Sequence, residues 1–404
     1  MSLERYRADF PVLDQEIEGK PIIYLDNACM TLKPQPVIDA MNEYYTKYSA
    51  CGGRSIHKFA TKVTVAVEES RKRIKEYVNS RNSNEIIFTR NATEGINLVG
   101  NSIGLKSGDV VLTTDREHNS NLAPWHLLKN KIGIEHKVVE SNDDGTFSMN
   151  NLKNALDKNV KLLSMVHTSN LDGYTIPAED VIKVAHEQDI LVMLDGAQSA
   201  PHHAIDVQKL DVDFFAFSIH KMCGPTGVGV LYGKYDLLDG LSPFIVGGDT
   251  VEKTTYETSL FLKPPSKFEG GLQNYAGLIG SGEAAKYLMD IGLDKIEQHE
   301  LELNEYVTEQ LNEIPEVTII GPPDPKLRGG ITGFTVKDMN PHDIAMILDE
   351  VANIMIRSGM HCVHSWFNAK GIEGSVRVAF YLYNTRSEVD IFIEKLREII
   401  STFS

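Results

Sequence analysis

The chain has 404 residues, 42% of them hydrophobic and 24% charged, and its 40 Lys and Arg against 56 Asp and Glu give a net charge of −16. This is the composition of a folded chain long enough to bury a large core, and it excludes disorder, collagen and a small disulfide scaffold. An acidic chain with no run of five like charges lacks the footprint of a nucleic-acid binder, and no apolar run is long enough to cross a bilayer.

Four cysteines, Cys29, Cys51, Cys223 and Cys362, form no CxxC pair, so neither a disulfide framework nor a metal site is expected. The opening MSLERYRADF lacks the basic-then-apolar layout of a signal peptide, and a reducing, cytoplasmic location is the expectation. Length alone suggests two or three domains.

In chain order, Val63, Val67, Ile74 and Val78 recur at helical spacing and predict a helix over Thr61 to Val78. From there short β-branched or apolar runs alternate with amphipathic stretches: Glu85 to Phe88, Val110 to Thr113, Lys161 to Val166, Ile190 to Leu194, Phe214 to Phe217 and Val228 to Tyr232. Continuous runs of this kind suit strands covered on both faces, and the alternation indicates an α/β protein with a mostly parallel sheet. Beyond Lys263, Pro264, Pro265 and Ser266 the texture becomes helical, with a long stretch over Gly282 to Ile314 broken at Gly292. Two later helices are expected to open at Asn340 with Pro341, and at Ser387 with Asp390 in capping-box spacing. The boundary is placed near Pro264: residues 21–264 form a large α/β domain, and residues 1–20 and 265–404 a smaller α+β domain.

Three features carry candidate chemistry. Thr93 opens a helix directly after the first strand, where unpaired amides and a hydroxyl can hold a phosphate, or where Thr93 merely caps the helix. Asp195 ends a buried strand on the side that faces the ligand crevice of open α/β sheets, or it belongs to a plain Asp-Gly turn. Lys221 follows the very apolar Phe214 to Phe217 strand, either desolvated and available for imine formation or simply a surface lysine. Together they are the anchors that pyridoxal phosphate requires: a held phosphate, a carboxylate at the ring nitrogen and an amine for the aldehyde.

The ordered motifs YLDNA (24–28), TEGIN (93–97), EH followed by NLAPW (117–125), HTSN (167–170), LDGAQ (194–198), SIHKMCGPTG (218–227), RSGMHC (357–362) and YLYNT (381–385) span nearly the whole chain. The chain thereby resembles the class V, fold type I pyridoxal-phosphate enzymes, and within them the SufS-type cysteine desulfurases and selenocysteine lyases. The resemblance implies a seven-stranded, mostly parallel sheet and a homodimer with active sites near the subunit interface. It makes Lys221 the Schiff-base lysine and proton carrier, pairs Asp195 with the ring nitrogen and brings Gln198 to the ring hydroxyl. Thr93, Ser218 and His220 hold the phosphate, His118 stacks on the ring, and Asn170 and Arg377 take the substrate carboxylate. Cys362 is the implied nucleophile, with Arg357 and His361 nearby to favour its thiolate and Arg357 counted among the substrate-binding residues. The implied reaction takes L-cysteine to L-alanine and leaves a persulfide on Cys362 for an acceptor protein, with iron–sulfur cluster assembly as its use.

The chain departs from the family pattern at Gly53, at Asn119 in place of a second histidine, at Leu272 in place of a phosphate-contacting Thr or Ser, and at Val363 after the nucleophile. The other three cysteines also fall in segments that the family brings to or near the site; coincidence with small-residue packing is the leading explanation, and the sharper alternative is that one of them, Cys51 first, relays sulfur or forms a disulfide with Cys362. Alternatives are a selenocysteine or cysteine-sulfinate lyase, an aminotransferase or epimerase that does not use Cys362, and a sulfur-relay module without turnover.

Overall fold

The computed structural model describes residues 3–403. Its main sheet contains β1 (Ile86–Thr89), β2 (Val110–Thr114), β3 (Glu135–Val139), β4 (Val160–Val166), β5 (Leu191–Asp195), β6 (Phe214–Ser218) and β7 (Gly229–Gly233). Their spatial order is β1-β7-β6-β5-β4-β2-β3. Only β7 runs antiparallel to its neighbours; the other pairings in the sheet are parallel. The six apolar runs of the sequence are six of these strands, while β3 has no such run because it lies at the sheet edge and buries only Val139.

Alternation along the strands divides the interior into two cores, one on each face. Phe215 and Phe217 join the core with Val192, Leu194 and Val230, whereas Phe214 and Ala216 join Met193 and Leu231 on the other side. Helix α1 (Lys58–Tyr77) covers the first face through Val63, Val67 and Ile74, and α2 (Ala92–Ser102) covers the second through Ile96 and Val99. Side-chain period two in the strands and 3.6 in the helices makes both burials possible at once.

The predicted long helix begins earlier than its apolar pattern suggests. Asn274 accepts the Gly277 N–H at 3.0 Å and starts α3 (Tyr275–Ile291); Gly292, at φ +98°, ends it, and α4 (Leu293–Asn312) follows. Helix α3 packs into the first core of the main sheet, and α4 passes from that core to another, since Ile296 belongs to the first and Leu303, Val307 and Leu311 to the second. That second core lies under a four-stranded antiparallel sheet of β8 (Val317–Ile320), β9 (Ile331–Val336), β10 (Arg357–Gly359) and β11 (Ser375–Ala379), in the order β8-β9-β11-β10. Helices α5 (Pro341–Ala352) and α7 (Arg386–Phe403) cover it, with the short α6 (His364–Lys370) between them in sequence.

Asn340 caps α5 as expected, its side chain accepting the His342 N–H at 2.8 Å. The α7 cap is shifted two residues from Ser387 and Asp390: Thr385 Oγ1 accepts the Glu388 N–H, and Glu388 Oε2 accepts the Thr385 N–H at 3.0 Å. Thr-x-x-Glu fits the reciprocal box better than Ser-x-x-Asp because the longer glutamate reaches back over a full turn. Among the described residues no helix is long and apolar enough to cross a membrane.

The N-terminus of α2 reaches the sheet through a close backbone approach. A Cβ on Gly229 of β7 would lie 2.4 Å from the Asn91 Cα, so only glycine lets that turn sit on the strand. Gly229→Ala is expected to cost about 1–3 kcal/mol through forced displacement of this turn. Urea unfolding should show a lowered midpoint, and an unchanged midpoint would contradict the close approach.

Candidate active site

Strand ends and loops on one side of the main sheet meet the second sheet around a cavity of about 230 Å³. Every residue singled out for the site lines it: Thr93 from the start of α2, His118 after β2, Asn170 after β4, Asp195 and Gln198 at the end of β5, and Ser218, His220 and Lys221 at the end of β6. The smaller sheet contributes Arg357 and Arg377, and the loop after β10 contributes His361 and Cys362. Residues more than 250 positions apart in sequence thus share one space, as expected where parallel strands end.

The two readings of Thr93 are resolved by the cap. Asn91 accepts the Glu94 N–H at 3.0 Å and fills the capping role. Thr93 is left with its hydroxyl 2.7 Å from the Ser120 hydroxyl at the cavity wall. Ser218 Oγ accepts the Ala92 N–H at 2.9 Å, tying the end of β6 to the start of α2. The start of α2, the Thr93 and Ser218 hydroxyls and His220 thus share one wall of the cavity, a setting that suits an anion. His220 is held at about 4 by burial and the cations Lys221 and Lys33.

Lys221 lies in a single 3-10 turn over Ile219–Lys221, directly beyond the buried strand, and is itself half-buried against the cavity it lines. Burial lowers its pKa, and the Asp195 carboxylate opposes that shift. Asp195 is raised by the same desolvation, while its Oδ1 accepts the Ala197 N–H at 3.0 Å. Gln198 donates to the Ala28 carbonyl at 2.6 Å and leaves Oε1 buried without a partner. A buried carboxyl awaiting a cation, a deprotonatable amine and an unpaired amide oxygen around one cavity fit a protonated heteroaromatic aldehyde with a phosphate arm. Among the described residues no group of three His, Cys, Asp or Glu side chains is placed to hold a metal ion.

Arg377 is fully buried on β11. Its Nη1 donates to the Asn170 carbonyl at 2.9 Å, its Nη2 lies 3.2 Å from Asp26 Oδ1, and its Nε has no partner. Asn170 Oδ1 is likewise unpaired, while its Nδ2 donates to the His361 carbonyl at 2.7 Å. The free Arg377 Nε suits a small carboxylate ligand, and the free Asn170 Oδ1 can accept from a donor on the same ligand. Asp26 and Ser120, which the sequence does not single out, complete the wall chemistry: Asp26 is the counter-ion of Arg377, and the Ser120 N–H donates to His118 Nδ1 at 3.1 Å. That bond places the ring proton of His118 on Nε2.

Cys362 sits on a loop fixed from several sides. Both His361 and Cys362 have left-handed backbones, φ 50° and 61°, which non-glycine residues hold only when their surroundings impose it. The Asn119 N–H donates to the Cys362 carbonyl at 2.7 Å, and Asn119 Nδ2 lies 2.8 Å from His364 Nδ1. Val363 is buried with Leu171, Ile320, Trp366 and Phe367. The departures at Asn119 and Val363 are therefore fastenings of the Cys362 loop.

Two expectations are corrected. His361 does not favour a thiolate by charge, because burial with Arg377 and Arg357 brings it down to about 2 and keeps it neutral; its Nε2 is 2.8 Å from Ser375 Oγ. Arg357 Nη1 donates to the Cys29 sulfur at 3.6 Å, with Asp26 Oδ2 at 3.9 Å. Cys51 lies on an exposed loop with its sulfur 4.0 Å from the Tyr275 hydroxyl and does not line the cavity, so within one chain it is not placed to pair with Cys362.

His118 is brought down to about 3 by burial, with Lys221 and Arg377 adding to the effect. Both His118 and His361 are expected to remain neutral from about pH 8 to about pH 5 in the cofactor-free protein, where an ordinary histidine titrates. Ring-nitrogen NMR shifts should stay constant over that range; a midpoint above about 5 would contradict the burial argument.

The aminotransferase class-V family model matches residues 23–392. A probable cysteine desulfurase of Streptomyces coelicolor is 39% identical over 411 residues, covering 100% of this chain and 98% of the relative. A cysteine desulfurase of Haloferax volcanii is 38% identical, covering 98% and 96%. Among solved structures, the apo cysteine desulfurase of Thermococcus onnurineus NA1 is similar with a TM-score of 0.94 and 37% identity, covering 99% of this chain and 98% of that one. With a fold, a cavity and full-length relatives in agreement, the chain belongs to the aminotransferase class-V family.

Proposed function

We propose that the chain is a pyridoxal-phosphate-dependent cysteine desulfurase that converts L-cysteine to L-alanine and retains the sulfur as a persulfide on Cys362. The observation that carries this reading is the shared cavity: Lys221, Asp195, Arg377 and Cys362 line one space. Full-length relatives that are cysteine desulfurases support it.

Thr93, Ser218 and His220 would hold the cofactor phosphate, Asp195 its ring nitrogen and Lys221 its aldehyde carbon. When bound, pyridoxal phosphate supplies a conjugated system that takes up electrons released at the substrate α-carbon. Arg377 orients the substrate through its carboxylate, using the free Nε, and Asn170, which accompanies it in the cavity wall, offers its free Oδ1 as an acceptor. The Lys221 amine, its basicity lowered by burial, accepts and returns protons at the substrate. Neutral His118, with its proton on Nε2, presents a donor without adding positive charge beside Lys221. The Cys362 thiolate attacks the substrate sulfur; an S–S bond forms, the C–S bond breaks toward carbon, and protonation of that carbon gives alanine. The fastened loop holds Cys362 for this attack.

The sulfur is passed to an acceptor protein, with iron–sulfur cluster assembly as the use, and four free thiols suit a reducing, cytoplasmic compartment. The catalytic cleft lies between a large and a small lobe, which we divide near Gly292 because α3 packs with the main sheet. A homodimer is supported by exposed apolar side chains. Arg54 pairs with Asp249 at 2.5 Å, joining the loop that exposes Ile56 to the one that exposes Val246, and Leu260 and Leu272 are large apolar side chains also left exposed, as suits residues that a second copy would cover.

With cofactor, L-cysteine and a thiol reductant, the wild type should release sulfide and alanine in equal amounts, and Cys362→Ala should lose at least about 100-fold of the sulfide rate, on the scale of losing a nucleophile. Equal rates in both would overturn the reading of Cys362. Light scattering should return twice the chain mass, and Ile56→Asp with Leu260→Asp should return one chain; a monomeric wild type contradicts the dimer.

A further inference from the structure

The four cysteines occupy different environments. Cys223 is sealed in the interior, where burial pushes its thiol up to about 12, and Cys51 is on an exposed loop away from the cavity. Cys29 alone shares the cavity with Cys362. Cys29 follows the Ala28 carbonyl that Gln198 fixes, so its backbone is anchored to the end of β5. Its sulfur accepts from Arg357 at 3.6 Å, and Arg357 lies on the strand that leads into the Cys362 loop. The cavity is a built ligand site on independent grounds, because Gln198 Oε1, Asn170 Oδ1 and Arg377 Nε are all buried in its wall without partners.

We propose that Cys29 is a second sulfur carrier, taking the outer sulfur from the Cys362 persulfide within the same cavity. This inference rests on the reading of Cys362 as the first carrier. The outer sulfur originates from a substrate bound in the cavity, so it forms on the side of Cys362 that faces the space shared with Cys29. The Cys29 thiolate attacks that sulfur. A new S–S bond forms to Cys29, the bond to Cys362 breaks, and its electron pair leaves on the Cys362 sulfur as a thiolate. The transferred sulfur keeps its proton, and no net oxidation or reduction occurs. Arg357 offers its guanidinium to the attacking sulfur and afterwards to the Cys29 persulfide. Cys362 is then free for a second turnover, so one chain can hold two sulfurs before an acceptor arrives.

The test uses the cofactor-loaded full chain, treated with L-cysteine without reductant, desalted, alkylated in the native state and mapped by peptide mass spectrometry. The expected result is one extra sulfur on both the Cys29 and the Cys362 peptides, in a ratio independent of protein concentration. Cys362→Ser should leave both peptides unmodified, and Cys29→Ser should carry sulfur on Cys362 alone. The alanine burst should fall from about two per chain in the wild type to about one in Cys29→Ser, the stoichiometry of two exchanging carriers against one. Sulfur confined to Cys362 in the wild type overturns the relay while leaving the desulfurase reading intact. Sulfur on Cys29 in Cys362→Ser also overturns it, because Cys29 would then be loaded without Cys362. No alanine and no extra sulfur on either peptide would overturn both readings.

Discussion

Removing the Lys221 amine and the Asp195 carboxyl from water is the constraint around which this molecule is arranged. Each group alone would be costly to bury, and desolvation pushes both toward their neutral forms. The cost is tolerated because both sit at the ends of strands whose interiors are fully apolar. Phe214, Phe215, Ala216 and Phe217 lock β6 from both faces, so the next residues cannot retreat to solvent without disturbing two cores. The same desolvation lowers the pKa of the amine and raises that of the carboxyl.

The smaller sheet answers a second requirement, that a thiol and an arginine be held above this floor. Arg377 comes from the central strand β11 and is fixed by Asp26 and the Asn170 carbonyl. Cys362 comes from a loop in an unfavourable backbone conformation that Asn119, Asn170 and the Val363 cluster impose together. Contacts from loops of the large sheet thus set the position of Cys362. A neutral His361 inside this loop contributes packing and a hydrogen bond to Ser375 rather than charge.

Much of the fold is visible in the amino-acid order because double burial leaves an unambiguous mark. Six strands of the main sheet are apolar runs that cannot be read otherwise, and Gly292 breaks the helical stretch where left-handed backbone is required. Strand β3 leaves no such mark, since an edge strand with one wet face can be rich in Glu, His and Lys. The start of α3 is equally hidden, because its first turns are glycines and alanines packed against other helices rather than a regular apolar stripe. Thr93 and Asn91 illustrate a subtler limit: both residue types cap helices, and only the observed bond to the Glu94 N–H separates the cap from the free hydroxyl.

The sequence by itself determined the α/β class, the strand ends that carry Asp195 and Lys221, and the joint presence of the residues pyridoxal phosphate chemistry needs, because these follow from local apolar patterning and from ordered motifs. Only the tertiary structure decided which groups face one another. It gave Arg357 to Cys29, kept Cys51 out of the cavity, turned Asn119 and Val363 into supports of the Cys362 loop, and made His361 neutral. The physical reason is that charge state and contact depend on burial and on partners far away in sequence, which no local pattern encodes.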